Sequence, residues 1–379
     1  MTERVPAEAF SPGDYIKEYL EERGWTQLDL AQVLGRNASV VNEIISGKTG
    51  VTPETAKGLA AAFGTSAGLW LNLDSAYRLW LSRNTGNPAV ALRARIYAKA
   101  PVREMIRRRW IEGSENPIVL ERQVLEFFQL GSLDDDLPSL AHAARKPDYE
   151  VTNPAQVAWL KRAEGLAPAA PVTGVFAPPK VQAVLRAVRE LASHPQDVRR
   201  VPQVLAESGI RLLLVEPLPR TKIDGACFWL GDRSPVVVLS LRFDRIDWFW
   251  HTLMHELVHV SRGDGKSSVV VDVDMAAEGP DSLAASQVEA EVNRSAADML
   301  ISTVDLEGFI MRSAPGFPQQ KIVGFAALHS IHPGIVVGQL QHRGELTFAQ
   351  MRKFLLPIRS IVTQSALTDG WGSLLPSGL

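Results

Sequence analysis

Two periodicities alternate along this chain. Between residues 11 and 82, apolar positions recur at helical spacing and are punctuated by start and stop signals. Ser11 with Asp14, and Thr26 with Asp29, have the three-residue spacing of a capping box, in which a hydroxyl and a carboxylate satisfy the first free amides of a helix. Two helices are predicted to start there. The second, about Gln27 to Leu34, stops at Gly35, and a third begins near Asn37 and ends at Gly47. Thr52-Pro53-Glu54 marks a further start, a capping threonine followed by proline at the first helical position. Leu30, Ala31, Leu34, Val41 and Ile44 form the inward face, so helix, tight glycine turn and short helix make a helix-turn-helix candidate within an all-α domain over 1–82.

Residues 83–200 read as a helical connector. The stretches PVREMIRRRWIEG and ENPIVLERQVLEFFQLG have helical patterning, and LAPAAPVTGVFAPPK reads as a proline-rich connection. After Pro202 the period changes. IRLLLVE at 210–216 and PVVVLSL at 235–241 predict short buried strands, GACFWLG at 225–231 is a third candidate, and a helix follows from about Asp244 to Arg262, ending at Gly263. The fold class expected is mainly α with a small β-sheet (α+β), the last domain covering 201–379.

Composition narrows the function classes. At 379 residues, with 46% hydrophobic and 22% charged residues, the chain is long enough for two or three packed domains, and neither disorder nor a fibrous repeat fits. The single cysteine, Cys227, excludes an internal disulfide and a cysteine-rich zinc module, and in a strand between Ala226 and Phe228 it is expected to be an inert core thiol. With no leader-like N-terminus and no apolar run near ~18 residues, the expectation is a cytoplasmic protein without a membrane span. The net charge of −2 makes any nucleic-acid contact a local matter. Residues 1–80 hold seven basic and ten acidic side chains, so this domain is expected to bind DNA weakly unless it forms a homodimer. Between 81 and 110 stand eight basic residues, among them Arg93, Arg95, Lys99, Arg107 and Arg108, against Glu104 alone; if close to the first domain, they could supply backbone contacts.

The candidate chemistry is His255-Glu256-Leu257-Val258-His259. Helical residues four apart differ by about 40° around the axis, so both imidazoles point the same way and can share one metal ion. Glu256 is about 100° round from His255, close enough to act on a water beside the metal. The helix is expected to pack through Ile246, Trp250, Leu253, Leu257 and Val260, leaving the ligands on its other side. A hydrolytic zinc site needs a third protein ligand and one open position. A downstream helix, about Ser282 to Ile301, offers Glu289 on the face of Ala285, Val292, Ala296 and Leu300, and Glu291 on the face of Arg294, Ser295 and Asp298. The apolar face is the buried one, which favours Glu289 and leaves Glu291 as the alternative; Asn293, one turn on, is placed to hydrogen-bond a ligand. His251 lies one turn before His255 on the same face and is an extra or alternative ligand candidate, with a flanking role favoured because three ligands are already found; His329, His332 and His342 are candidates to line a cleft, and Asp134-Asp135-Asp136 reads as a solvated turn.

Two resemblances sharpen this reading. Residues 12–80, PGDYIKEYLEERGWTQLDLAQVLGRNASVVNEIISGKTGVTPETAKGLAAAFGTSAGLWLNLDSAYRL, resemble the Xre-type helix-turn-helix of HigA-like antitoxins and repressors. The resemblance implies that the helix after Gly35 enters the major groove of double-stranded operator DNA with Asn37, Ser39, Val40, Asn42 and Glu43 on its outer side, while Gln27 and Lys48 approach phosphates. DWFWHTLMHELVHVSRG followed by EAEVNRSAADMLI resembles the ImmA/IrrE metallopeptidase family, as do DGACFWLGDRSPVVVLSLRFDRID and HPGIVVGQLQHRG; Val292, Ser295 and Ser302 depart from the usual pattern. This resemblance implies a zincin-like domain in which His255, His259 and Glu289 hold Zn²⁺ and Glu256 is the general base of peptide hydrolysis. The implied partner is a protein substrate, such as a helix-turn-helix repressor or a cognate toxin. The alternative reading is a non-enzymatic regulator or antitoxin whose metal domain only senses a signal or binds a toxin.

Overall fold

The computed structural model describes residues 9–82, 87–138, 141–142, 153–266, 269–273 and 287–371. The chain divides into two compact units, Met1–Val90 and Ala91–Leu379.

The first unit contains α1 (Pro12–Arg23), α2 (Gln27–Leu34), α3 (Ala38–Ile45), α4 (Pro53–Phe63) and α5 (Ala67–Ser82). Both predicted capping boxes form: Ser11 and Thr26 each accept from the backbone N–H three residues on, and the Asp14 and Asp29 carboxylates accept from the backbone N–H of Ser11 and Thr26. Gly24 and Gly35 end α1 and α2 in the left-handed conformation. The core gathers Leu30, Ala31, Val41 and Ile44 with Ile16, Leu59, Phe63 and Trp70, so the inward face expected for α2 and α3 is the buried one apart from Leu34, which is half-buried at its margin.

The second unit is built on a mixed sheet with the order β1-β5-β3-β4-β2-β6, from β1 (Ala141–His142), β2 (Arg211–Val215), β3 (Ile223–Trp229), β4 (Pro235–Leu239), β5 (Val270–Val273) and β6 (Leu367–Asp369). β3 runs antiparallel to both β4 and β5, whereas β2 is parallel to β4 and β6. Side chains alternate between two cores. Leu212, Leu214, Cys227, Val237 and Leu239 face a cluster shared with α10 (Val181–Glu190), α11 (Val201–Glu207), α12 (Ile246–Arg262), α13 (Gln287–Leu300), α14 (Thr303–Ser313), α15 (Gln319–Leu328), α16 (Pro333–His342) and α17 (Arg359–Val362). Leu213, Val215, Ala226, Phe228, Val236 and Val238 face a second cluster, covered by α6 (Pro88–Lys99), α7 (Val102–Arg107), α8 (Pro117–Phe128) and α9 (Pro154–Leu166).

The stretch read above as a connector is thus, from residue 91 onward, a layer of the second unit, since Met105, Val124, Val157 and Trp159 bury their side chains against the outer face of the sheet. A sheet with two apolar faces needs cover on both. Asp369 on the edge strand β6 ties this layer down, accepting from Trp110 Nε1 at 2.8 Å and Arg162 Nε at 2.7 Å. Part of the basic stretch also makes contacts within this unit. Arg108 is buried and donates to the Glu216 and Pro217 carbonyls, Arg95 and Arg107 pair with Asp134 and Glu104, and Arg93 and Lys99 donate to the carbonyls of Glu115 and Asp135. Asp135 accepts from the Gly131 and Ser132 amides, closing a turn.

α12 differs from expectation in its surroundings. Ile246, Trp250, Leu253, Leu257 and Val260 are buried as predicted, but so are Met254, His255, Glu256 and His259 on its other side. The helix lies between β3 and β4 on one flank and α13 and α16 on the other, so it has no solvent face through its middle.

Candidate metal centre and nucleic-acid surface

In the first unit the turn after α2 leads into α3 with Asn37 as its N-cap, yet the Asn37 side chain makes no capping bond. Gln27, Asn37, Ser39, Asn42, Glu43 and Lys48 are exposed. Val40 is half-buried and packs against the core, because its position on α3 lies between the outer face and the inward Val41 and Ile44. Glu43 accepts from the Thr49 hydroxyl at 3.0 Å, which fixes the loop carrying Lys48.

In the second unit, α12 and α13 bring His255, His259 and Glu289 together, and β5 adds Asp272; one donor atom from each lies within 4.8 Å of all the others. All four are buried. Asn293 Oδ1 lies 2.8 Å from His255 Nδ1 and Asp264 Oδ2 lies 2.9 Å from His259 Nδ1. These acceptors engage the Nδ1 side of each ring, so both Nε2 atoms are directed inward, 3.1 Å from each other. Glu289 Oε2 is 3.5 and 3.6 Å from the two Nε2 atoms, and Asp272 Oδ2 is 3.2 and 3.9 Å from them. Two imidazole nitrogens and two carboxylates converging at such range need positive charge among them, which protonated histidine supplies in the metal-free protein and a divalent cation can replace, so the donor set suits a divalent cation.

The titration behaviour follows from the same crowding. Burial lowers the His255 pKa, but the Asp272 and Glu289 carboxylates outweigh it and raise the imidazole to about 10. Asp272, which burial would raise, is pulled down to about 2 by His255. Burial and then the Asp272 charge hold Glu256 well above the usual carboxylate range. Glu256 is fully buried, with Asp272 as its charged neighbour. Gly225 makes room for it: a β-carbon at 225 would lie 2.0 Å from Glu256 Oε1.

Of the alternative third residues, Glu289 faces the histidines, while Glu291 is exposed and pairs with Arg262 at 3.6 Å. His251 stands outside the cluster; burial lowers its pKa to about 3. With Trp248, Leu300, Ile335 and His342 it lines a neighbouring cavity of about 210 Å³. His332 instead caps α16, accepting from the Gly334 amide at 3.0 Å, and His329 lies 4.0 Å from Asp305. Cys227 is buried in β3, its thiol pushed well up by burial and then by Glu256. Sequence reasoning missed Asp272 and Asp264. Asp272 had a signal, a single carboxylate inside the apolar run Val269–Val273, where a strand buried on both faces leaves a charged side chain no route to water.

Comparison with known proteins places the first unit. Residues 16–70 match the family described as helix-turn-helix. Antitoxin HigA-1 of Vibrio cholerae is 38% identical over 84 residues, which are 22% of this chain and 76% of that protein. Virulence-associated protein I of Dichelobacter nodosus is 39% identical over 72 residues, 19% of this chain and 67% of the relative. A solved structure of Pseudomonas aeruginosa antitoxin HigA with the higBA promoter is 30% identical and covers 22% of this chain and 91% of that one, with a TM-score of 0.21. Through its N-terminal unit, the chain belongs to the helix-turn-helix family of transcriptional regulators and HigA-like antitoxins.

Proposed function

We propose that the chain is a DNA-binding regulator whose second unit is a zinc-dependent endopeptidase of the ImmA/IrrE type. The observation that carries the enzymatic half is the meeting of His255, His259 and Glu289 beside the fully buried carboxylate of Glu256. The inward Nε2 atoms and the two carboxylates fit Zn²⁺, which binds nitrogen and oxygen donors of this kind. When bound, zinc supplies a Lewis acid that polarises a carbonyl and lowers the pKa of a water. Asn293 and Asp264 orient the two imidazoles. Glu256, held against Gly225, is the group in position to take a proton from water and deliver it to a leaving amine. His251 does not belong to the donor set and stays neutral beside it.

For the first unit, the exposed row Asn37, Ser39 and Asn42 on α3, flanked by Gln27 and Lys48, supports operator binding as a homodimer, with the bases read by α3 and the phosphates met by the flanking pair. The cleaved protein would be a helix-turn-helix repressor or a cognate toxin. Full burial of the donor set favours one rival, a non-enzymatic sensor.

One experiment separates them. The zinc-loaded protein is incubated with the products of its neighbouring genes; Glu256→Gln should retain one zinc and abolish fragments that the parent produces. Identical fragment patterns from parent and variant would remove the peptidase reading. For the operator, Ser39→Ala with Asn42→Ala should weaken binding to the protein's own promoter, and a parent that fails to shift that DNA at low salt would remove the repressor reading.

A further inference from the structure

The sequence expects three protein ligands and an open fourth position; the structure gathers four donors. The inference that follows rests on the metal reading above. For a tetrahedral site with metal–donor bonds near 2.1 Å, donor atoms stand about 3.4 Å apart. The separations between the two Nε2 atoms, between each of them and Glu289 Oε2, and between each of them and Asp272 Oδ2 are 3.1, 3.5, 3.6, 3.2 and 3.9 Å, which bracket that edge length. Asp272 Oδ2 is buried and points at the two rings, 3.2 Å from His255 Nε2. No donor of the set is more than 4% exposed, and Glu256 is at 0%, so a polypeptide has no approach to the site in this conformation.

We propose that Asp272 is a fourth metal ligand that closes the centre, and that hydrolysis requires its carboxylate to leave and a water to take the vacated position. Asp272 would help hold the ion in the closed centre, and its withdrawal would free the position that a water needs. Asp272 is also the donor suited to leave. Glu289 is carried by a fourteen-residue helix whose Val292, Ala296 and Leu300 are locked in the core. Asp272 rides on the four-residue strand β5, whose ladder with β3 is irregular between Ile223 and Gly225 and whose other neighbour, β1, is two residues long. A short, poorly laddered strand opens at lower cost than a packed helix. The centre is therefore latent until β5 shifts.

The test uses Co²⁺, whose visible bands report ligand number, and azide as a small anion that needs a free coordination position. The full-length parent, Asp272→Asn, Asp272→Ala and His255→Ala are each titrated with Co²⁺ and then with azide, with near-ultraviolet circular dichroism to confirm folding. Both Asp272 variants should retain one Co²⁺ at an affinity about tenfold or more below the parent, with altered bands, and should take azide at a concentration at least about tenfold lower. Equal affinities, equal bands and equal azide response in parent and variants would overturn the closing role while leaving the metal site standing. Folded Asp272 variants that lose the ion altogether would also overturn it, since a ligand that must leave cannot be one the site needs. A parent that binds no Co²⁺, or a His255→Ala that binds it as tightly, would overturn the metal reading and this inference together.

Discussion

Gly225 and Glu256 are packed so closely that the strand has no room for a single β-carbon: one placed on residue 225 would fall 2.0 Å from Oε1 and 2.8 Å from the carboxylate carbon. Gly225→Ala must therefore push Glu256 aside or shift β3. The expected result is a loss of about 1–3 kcal/mol in urea unfolding, one zinc still bound because the histidines face α13, and peptide cleavage reduced towards that of Glu256→Gln. Zinc stoichiometry and fragment assays on the same preparation check both halves.

The two orienting acceptors act on different rings. Asn293→Ala frees His255 and Asp264→Ala frees His259, and each should weaken zinc binding about 10- to 100-fold. Because the two rings lie 3.1 Å apart and would share one ion, the double variant should depart from the product of the single effects. Competition against a chelator of known affinity measures this.

Zinc affinity should rise with pH. In the metal-free protein, the carboxylates keep His255 protonated up to about 10, and His259 is raised as well, so the ion has to displace protons. Affinity should climb about tenfold or more per pH unit between 6 and 8, and a flat profile would contradict the arrangement. The stability of the metal-free fold moves the opposite way. A histidine whose folded pKa exceeds its unfolded value of 6.5 stabilises fully below that value and loses the contribution as pH rises towards 10. Metal-free protein should therefore unfold at lower urea at pH 9 than at pH 6.

Asp369 holds the outer helical layer to the edge of the sheet. Asp369→Ala strands the Trp110 indole N–H and the Arg162 guanidinium, at a cost of about 2–3 kcal/mol. Asp369→Asn keeps an acceptor for Trp110 and should cost less. Urea midpoints for the two variants give the comparison.

Local chemistry was the legible part of this fold. Ser11, Thr26 and Thr52 mark helix starts because a cap is decided by residues three apart, and His255 with His259 shares a face because one helical turn sets it. Glu289 could be chosen over Glu291 because apolar neighbours at helical spacing identify the buried side. What depends on long-range contact was not legible. β3 is buried from Ile223 to Phe228, so it shows no alternation to read. The layer formed by α6 to α9 looks like a spacer because its partner, the outer face of the sheet, lies far along the chain, with Met105 packed in one cluster with Phe228 and Val238. Asp272 joins the histidines only through the pairing of β5 with β3, and no local rule announces that register.

The full enclosure of α12 has a consequence for time scales. Amides between Trp250 and Val260 lie inside the second unit, so their protons can exchange with solvent only when that whole unit unfolds, whereas those of β5 need only a local separation from β3. The histidines are therefore expected to sit on a more slowly exchanging element than Asp272. Under the proposed mechanism the two histidines would keep the ion while Asp272 lets go, because the strand that opens is not the helix that carries them.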